Sequence, residues 1–548
     1  MKRDILVKMF CVALVLSCAF QGALAQEGSV EVFTDYRPEI AAAKKILAPT
    51  VIENDASVQP QIVYQVQPSS WQLALEAHNF LPARAFYWDY NNYKRLYANA
   101  AVGFPLGSEL GLNYTFQTPK TGYLGIGIDH VGDFAKRSYY DQVRPIAESY
   151  NMRNSAKLFG GVFINRYLLD FAVAYDSDIY NGYAMQSPEH RVFNDVNVGV
   201  RFGDEFANLS RLNFEVKAYA GLWKHGMAIS QQSIDEKSLG ASAKLARAFG
   251  SNILSLDLSF DQRMALEDNL YSDMRIGARA GYVREFGIFN VEAGLGYLYA
   301  TRGGHFLPKA KLTLSLCDDT FLPYLEFDSE VRQNSPSSLF GRNPYIDYDV
   351  VGEKMGSVAD TRSYNLTLGF KESLLSSHIV LHAFVGFRFM KDELFWFVTR
   401  DGMFGFDTAK NTRTVMGINA DFIPATGLHI DLDFSYQIDK NKSVYELPEP
   451  KLRGALGIEY AVSKWKLYAR GELHGARSWS VLSAVEGEPM GLFTMDNCFD
   501  ISAGVSYRVS RIAEIYLKGE NLLGSKIYDF ANYYRPGAGG MIGVRVDF

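Results

Sequence analysis

Polar and apolar side chains alternate along one segment after another of this chain, from about Lys94 to the terminal Phe548. The run from Leu254 to Asp261, for example, alternates apolar residues with Ser and Asp, and the run from His429 to Tyr436 repeats the pattern. Charged residues at every second position exclude a buried helix, whose apolar stripe recurs every three to four residues. The pattern therefore predicts β-strands that each have one apolar and one polar face.

The candidate strands number about 22, an even total that suits a closed bacterial barrel. Their expected starts lie near residues 94, 108, 121, 153, 166, 190, 210, 237, 252, 271, 288, 306, 321, 362, 376, 410, 427, 451, 465, 497, 513 and 539. Links that follow even-numbered strands are short, such as Asn165-Arg166, whereas the other links are generally longer, with the largest near 134–152, 334–361 and 477–496. A soluble sandwich has no reason to segregate its loop lengths. We therefore predict an all-β fold, a closed antiparallel transmembrane β-barrel with short periplasmic turns and longer extracellular loops.

The N-terminus has the form of a secretory signal peptide, expected to span residues 1–25. Lys2 and Arg3 precede an apolar run, and small residues frame a cleavage site before Gln26. Cys18 offers a weaker cleavage site of the lipoprotein type. Downstream, no stretch approaches the ~18 apolar residues of a helical span, so a membrane-embedded form must be a barrel. We expect an integral protein of the outer membrane of a Gram-negative bacterium, with both termini in the periplasm.

The segment between the signal peptide and the first strand, residues 26–90, lacks the long alternating pattern. The barrel is expected to occupy residues 91–548, and its lumen would be too wide for its own side chains to fill. A segment of about 65 residues is too short for a complete globular plug. Residues 26–90 are therefore expected to plug the lumen in part or to dock a partner in the periplasm.

Charge and cysteine content exclude several classes of function. Removal of the signal peptide takes the formal net charge from −6 to −8, and no basic patch is concentrated enough to indicate a nucleic-acid partner. The remaining cysteines, Cys317 and Cys498, fall at opposite ends of the predicted barrel, which argues against a disulfide. We expect both to be small buried side chains. No metal-ligand spacing or cofactor motif is present, so neither a metal nor a cofactor is expected.

The sequence gives no recognisable catalytic set. Asp129 precedes His130, but adjacent residues of a strand point to opposite faces, so Asp129 cannot orient this imidazole. No serine lies in a known motif near His130, His382 or His429. We therefore expect that the protein is not an enzyme.

The last two predicted strands carry a pattern that points to a family. The stretch from Glu514 to Tyr528 contains Asn521-Leu522-Leu523, a loop with Pro536-Gly537 follows, and the final strand ends on Phe548. This stretch resembles the end of TonB-dependent receptors, in which an Asn-Leu-Leu element ends the penultimate strand and an aromatic residue ends the chain. The resemblance implies uptake of a ligand across the outer membrane and coupling to a TonB-type complex. Family members carry a full plug and a TonB box, for which Glu31–Thr34 is the only faint candidate here.

Three functions stay open at this point. The chain is expected to be a transporter-like receptor, a passive porin-like channel, or a non-transporting subunit that docks a lipoprotein or periplasmic partner. Phe548 is expected to be the terminus that the outer-membrane assembly machinery recognises, and outer-membrane lipid is expected to surround the barrel.

Two sets of candidate residues follow from the predicted strands and loops. Exposed aromatic residues beside polar groups are typical of recognition surfaces, although an aromatic girdle at the membrane interface and loop packing also explain aromatic residues here. The candidate ligand-binding residues of the long loops are Arg342, Asn343, Tyr345, Tyr348, Trp479 and Phe493. Charges of both signs on the lumen face indicate a water-filled or protein-filled lumen without strong ion selectivity. The candidate lumen-lining charges are Glu215, Lys217, Asp257, Arg275, Arg279, Glu326, Asp328, Asp431, Asp433, Arg470, Glu472, Lys518 and Arg545.

Overall fold

The computed structural model describes residues 95–548 apart from ten stretches. These are 119–120, 135–149, 186–188, 205, 207, 228–231, 266–269, 375–377, 400–401 and 483–490. The predicted signal peptide, the segment 26–90 and the candidate TonB box lie outside the described residues. No described helix is long and apolar enough to cross a membrane.

Twenty-two strands form one closed antiparallel barrel. They are β1 (Leu96–Phe104), β2 (Gly107–Thr118), β3 (Gly122–Asp133), β4 (Asn151–Ile164), β5 (Tyr167–Asn181), β6 (His190–Gly203), β7 (Asn213–Met227), β8 (Ser233–Phe249), β9 (Asn252–Ala265), β10 (Tyr271–Phe286), β11 (Phe289–Ala300), β12 (Gly303–Leu314), β13 (Phe321–Arg332), β14 (Thr361–Leu374), β15 (Ile379–Val398), β16 (Phe404–Ala425), β17 (Leu428–Asn441), β18 (Leu452–Val462), β19 (Trp465–His474), β22 (Cys498–Arg508), β23 (Ala513–Glu520) and β26 (Gly539–Asp547).

The remaining elements lie in the longer links. They are α1 (Pro336–Arg342), α2 (Tyr348–Lys354), the hairpin β20 (Arg477–Val481) with β21 (Gly491–Met495), and the hairpin β24 (Tyr528–Phe530) with β25 (Tyr533–Tyr534). The predicted strand count and fold class are confirmed, and every predicted start lies within six residues of an observed one.

The barrel closes between its first and last strands. β26 pairs with β1 along its length, for example Val546 opposite Ala98, and with β23 on its other side. At the end of the seam, the Leu96 amide donates to the Phe548 carbonyl at 2.8 Å, and the Phe548 amide donates back at 3.0 Å. Because the first and last strands satisfy each other, the described sheet has no open edge there.

Side chains alternate between the two faces as the sequence pattern predicts. On β9, Leu254, Leu256 and Leu258 are exposed on the outer face, and Asp257 and Asp261 share the inner face. Exposure of these leucine side chains to water would be unfavourable in free energy. In a bilayer they form the apolar outer surface that lipid requires. The outer face is therefore suited to lipid, and the inner face is polar.

Loop lengths are segregated between the two ends of the barrel. We call the end where β1 begins and β26 ends the turn rim, and the opposite end the loop rim. The turn rim contains two-residue links such as Asn165-Arg166 and Ser463-Lys464, although the link 204–212 between β6 and β7 is longer. The loop rim carries the long links, including 333–360 and the link that contains β20 and β21.

The cysteines lie at opposite rims and are both free, as expected. The expectation that both are buried is wrong for Cys317, which is exposed in the tight link between β12 and β13. Its backbone has φ of 53°, a left-handed turn conformation, so this residue belongs to a surface turn. Cys498 is partly buried at the start of β22.

Candidate functional site

Five links of the loop rim meet in one packed structure, which we call the loop cap. It comprises the described parts of residues 182–189, 333–360 and 399–403, the hairpin β20–β21, and residues 521–538 with the hairpin β24–β25. Two groups of buried apolar side chains form its interior. The cap is the part of the described chain where loops, strand ends and helices converge, and it is therefore the first candidate for a functional site.

The helix α1 is held at its start by the barrel wall. Ser335 is the N-cap and Pro336 occupies the first turn, an arrangement that favours the beginning of a helix. Glu236 of β8, almost fully buried, accepts from the Ser337 amide at 2.8 Å and from the Ser337 hydroxyl at 2.7 Å. The negative charge of Glu236 also suits the positive end of the helix dipole.

A fully buried arginine fixes the chain between α1 and α2. The guanidinium of Arg191, on β6, donates to the carbonyl of Pro344 at 2.9 Å and to that of Ile346 at 2.6 Å. The same side chain contacts the sulfur of Met403 at 3.1 Å, so it also joins the link between β15 and β16. One wall residue thus holds two links of the loop cap.

An ion-pair network fixes the end of the link between β13 and β14. Arg275 donates to Asp273 at 2.7 Å and to Asp360 at 2.5 Å, and all three side chains are buried. Burial raises the pKa of the Asp360 carboxyl, and the charge of Arg275 acts in the opposite direction. Gln333 donates to Asp273 at 3.0 Å, so the network holds both ends of the link.

Aromatic residues of the loop cap connect opposite sides of the barrel. The rings of Tyr345 and Tyr533 stack at 3.6 Å between centroids, and Tyr183 packs edge-on against Tyr533 at 5.1 Å. Phe404, at the start of β16, packs against Phe530 at 5.8 Å. The links that carry Tyr183 and Phe404 are ten strand positions apart in a ring of 22. The loop cap therefore spans the loop rim from one side to the other.

The six predicted loop residues all lie in the loop cap, but mostly in its interior. Tyr345, Trp479, Phe493 and Asn343 are buried, and Tyr348 is buried with its hydroxyl bonded to His225. Arg342 is partly buried at the end of α1, where it donates to Ser338 at 3.0 Å. Burial lowers the pKa of Arg342 to about 9. The structure thus brings the six residues together as packing groups, and their role in ligand binding stays a prediction.

The predicted lumen charges share the inner face of the barrel, and most form ion pairs there. Lys217 pairs with Glu215 at 2.7 Å, and Arg470 bridges Asp431 at 3.0 Å and Glu472 at 2.9 Å. Three of the other charges also have ion-pair partners, namely Glu326 with Lys311, Lys518 with Glu109 and Glu520, and Arg545 with Glu514.

The remaining lumen charges differ in their surroundings. Arg275, on β10, pairs with Asp360 of the loop cap, and Asp433 accepts from Asn419. Among the described residues, Asp257, Arg279 and Asp328 have no ion-pair partner within 4.0 Å. Their charges are therefore free to face water or a solute in the lumen.

One group on the wall has ligand atoms suited to a cation. Single ligand atoms of Glu472, His474 and Asp500 lie within 4.8 Å of one another. Arg470 already occupies one oxygen of Glu472, and the positive charges of Arg477 and Arg535 act on His474. These cations compete with a metal ion, so the group is better described as part of a balanced ion-pair network.

Comparison with known proteins supports the barrel at the level of fold. No family model matches the sequence, and no curated protein matches it. Among solved structures, the copper transporter OprC superposes with a TM-score of 0.64 at 14% identity, covering 83% of this chain and 80% of that one.

Two further solved structures give the same result. The FrpB iron transporter from Neisseria meningitidis has a TM-score of 0.65 at 10% identity, with coverage of 83% and 81%. The ferric enterobactin receptor PfeA from Pseudomonas aeruginosa has a TM-score of 0.64 at 10% identity, with the same coverage. The chain therefore has the 22-strand outer-membrane barrel fold of these transporters, and the likeness to TonB-dependent receptors inferred from its last strands is confirmed as a likeness of fold.

Proposed function

We propose that this protein is an outer-membrane transporter that takes up a ligand through a gated barrel. The supporting observation is the loop cap, in which links from opposite sides of a wide, charge-lined lumen are joined by a packed aromatic interior. A passive porin-like channel needs an open mouth, so the loop cap argues against that alternative. Nothing in the described residues favours a non-transporting subunit.

The proposal includes an orientation and a partner. The loop rim would face outside and receive the ligand, and the turn rim with both termini would face the periplasm. The energy would come from a TonB-type complex, as the likeness of fold suggests. Residues 26–90 would then act as a partial plug, because a lumen of this width needs more than its own side chains to close it.

Planar-bilayer conductance of four forms of the full protein tests this proposal. The forms are the intact chain, a form without residues 26–90, a form in which residues 334–359 are replaced by a short Gly-Ser linker, and a form with both changes. We expect the double variant to conduct most, because the partial plug and the loop cap would each obstruct the lumen. Large conductance of the intact protein would instead support the porin-like channel.

Binding measurements address the ligand. The three related folds belong to transporters or receptors of copper, iron and ferric enterobactin. We propose to titrate Cu²⁺, Fe³⁺-citrate and ferric enterobactin while following the fluorescence of Trp479, which is buried inside the loop cap. A ligand that rearranges the loop cap is expected to change this signal, and a Trp479→Phe variant identifies the contribution of that residue. Absence of a response to all three would exclude these ligand classes.

A further inference from the structure

Three side chains from neighbouring strands form a hydrogen-bonded line on the barrel wall. The Ser108 hydroxyl of β2 lies 2.9 Å from Nε2 of His130 on β3, and Nδ1 of His130 lies 2.7 Å from Oδ1 of Asn154 on β4. Asn154 is directly opposite His130 in the sheet, and Ser108 is diagonally opposite. Serine, imidazole and an orienting amide in this order are the parts of a nucleophile–base–orienter set.

The hydrogen bonds also define the tautomer of the imidazole. The amide nitrogen of Asn154 points to the carbonyl of Ser177 at 3.5 Å, which leaves its oxygen toward His130. An amide oxygen only accepts, so Nδ1 of His130 carries the proton. Nε2 is then the acceptor for the Ser108 hydroxyl proton. This is the tautomer that a general base needs in order to activate a serine.

The line lies on the outer face of the barrel, close to the loop rim. His130 shares its face of β3 with Leu124, Ile126 and Ile128, all of them exposed. The residue opposite His130 on β2 is the exposed Leu110. A row of polar side chains on an apolar outer face is costly in lipid unless it sits near the interface or has a function.

The surroundings of Ser108 are largely apolar. Val102, opposite Ser108 on β1, is 64% exposed on the same face. Gly132 lies beside the serine, and a Cβ at this position would approach the Ser108 hydroxyl oxygen to 2.8 Å. The Phe134 ring, stacked on Tyr150 at 6.2 Å, borders this space. A side chain at position 132 would meet both the Ser108 hydroxyl and this ring.

We propose that Ser108 and His130 are catalytic residues of an acyl-ester hydrolase that acts on membrane glycerophospholipids, and that Asn154 is their positioning residue. The site faces the bilayer near its interface, where the ester linkages of such lipids lie between headgroup and acyl chain. The exposed apolar residues around it would contact the chains. This activity is separate from ligand uptake, because it uses the outer face and not the lumen.

The proposed reaction is ester hydrolysis by way of a covalent acyl-serine. The Ser108 oxygen attacks the ester carbonyl carbon while Nε2 of His130 takes the hydroxyl proton. The tetrahedral intermediate collapses with cleavage of the ester C–O bond, and the leaving lysolipid alkoxide receives that proton. Water then attacks the acyl-serine with His130 again as the base. The net reaction consumes one water and yields one fatty acid and one lysolipid.

Covalent labelling by a fluorophosphonate probe tests the nucleophile in the full-length protein in detergent micelles. The serine oxygen would bond to phosphorus and displace fluoride, and mass spectrometry would locate the adduct. We expect labelling of Ser108 in the wild type and none in Ser108→Ala or His130→Ala. Ser177→Ala is the matched control, since Ser177 lies on the same outer row and contributes only its carbonyl.

Hydrolysis of dioleoylphosphatidylethanolamine in mixed micelles tests the combined role of Ser108, His130 and Asn154. We expect Asn154→Leu to lower kcat by at least about 100-fold with little change in KM, and Asn154→Asp to restore it, because a carboxylate also accepts from Nδ1. Heat-modified migration on gels verifies that each variant forms a barrel. A wild type that is neither labelled nor hydrolytic, or labelling that persists in His130→Ala, would overturn the proposal and leave these residues as a structural polar ladder.

Discussion

At the scale of single residues, buried charges join the loop cap to the barrel wall. Arg191 is completely buried, yet its guanidinium donates to the carbonyls of Pro344 and Ile346, which are 153 and 155 residues away in sequence. A buried guanidinium is costly unless its donors are used. Its hydrogen bonds therefore tie the barrel wall to a link that lacks regular structure between its two helices.

Replacement of Arg191 by methionine is expected to loosen the loop cap and leave the barrel intact. The two carbonyls would be left buried without their donor, at a cost of about 2–3 kcal/mol to local stability. Hydrogen exchange of residues 336–355, measured by mass spectrometry, should speed up accordingly. Arg166→Gln on the turn rim is the control and should leave this exchange unchanged. Equal protection in Arg191→Met and wild type would show that Arg191 does not hold the link.

A second charged residue, whose side chain is mostly but not fully buried, makes one link sensitive to pH. Glu449 lies in the link between β17 and β18, and burial raises its pKa to about 7. Arg413 at 3.7 Å acts in the opposite direction but does not outweigh burial. When the link is released from the barrel and Glu449 is in water, the pKa of this carboxyl returns toward 4.5. The released state therefore binds fewer protons than the packed state between about pH 4.5 and 7. Packing of the link on the barrel therefore becomes more stable as the pH falls below about 7, and it is least stable above pH 7.

We expect residues 442–451 to be more resistant to protease at pH 5.5 than at pH 8. The difference corresponds to about 2 kcal/mol of local stability. Glu449→Gln should remove the pH dependence, because the amide does not titrate. Glu446→Gln changes an exposed residue of the same link and should retain it. If both variants behave alike, another group is responsible.

The side-chain contacts of His130 could not be predicted from the sequence. Asp129 is indeed unable to orient His130, since the two lie on opposite faces of β3. The actual neighbours of His130 are Ser108 and Asn154, more than twenty residues away in sequence. Register between strands decides these contacts, and the alternation within one strand does not specify it. Polar residues at outward positions of otherwise apolar strands are the one sequence signal that could have indicated the site.

At the scale of elements, the strands could be predicted from the sequence, but the helices and hairpins inside the links could not. Each strand carries its own alternation, so β9 or β17 could be located from local pattern alone. The helices α1 and α2 have seven residues each, too short to be stable without tertiary packing. The hairpin β20–β21 is likewise stabilised by contacts with β15. These elements exist because of the barrel around them.

The dependence of α1 on the wall can be measured through Glu236. Removing this carboxylate in Glu236→Ala takes away the acceptor for Ser337 and leaves Arg263 without one of its partners. We expect a loss of about 2 kcal/mol in the local stability of α1, observed as faster hydrogen exchange in residues 336–343. Asp235→Ala alters an exposed ion pair next to it and should change stability by less than about 0.5 kcal/mol. Equal effects of the two changes would contradict this role.

At the scale of the whole molecule, the barrel is completed by a seam that joins the two ends of the described chain. β1 and β26 pair through the backbone, and inward ion pairs such as Arg545 with Glu514 accompany the last strand. The Phe548 side chain is 57% exposed on the outer face, so its ring contributes little packing to the closed barrel. The exposed ring is therefore available for the role in assembly that we propose for Phe548.

Phe548→Asp is therefore expected to lower the yield of assembled barrel in outer-membrane fractions several-fold without destabilising the barrels that do form. Because Phe548 contributes its backbone hydrogen bonds at the seam, which the substitution retains, the unfolding free energy should change by less than about 0.5 kcal/mol. Heat-modified gel migration measures the assembled fraction, and urea unfolding measures stability. Phe548→Tyr keeps an aromatic terminus and should assemble normally. A variant that loses stability in proportion to its yield would place the role of this residue in the folded seam and not in assembly.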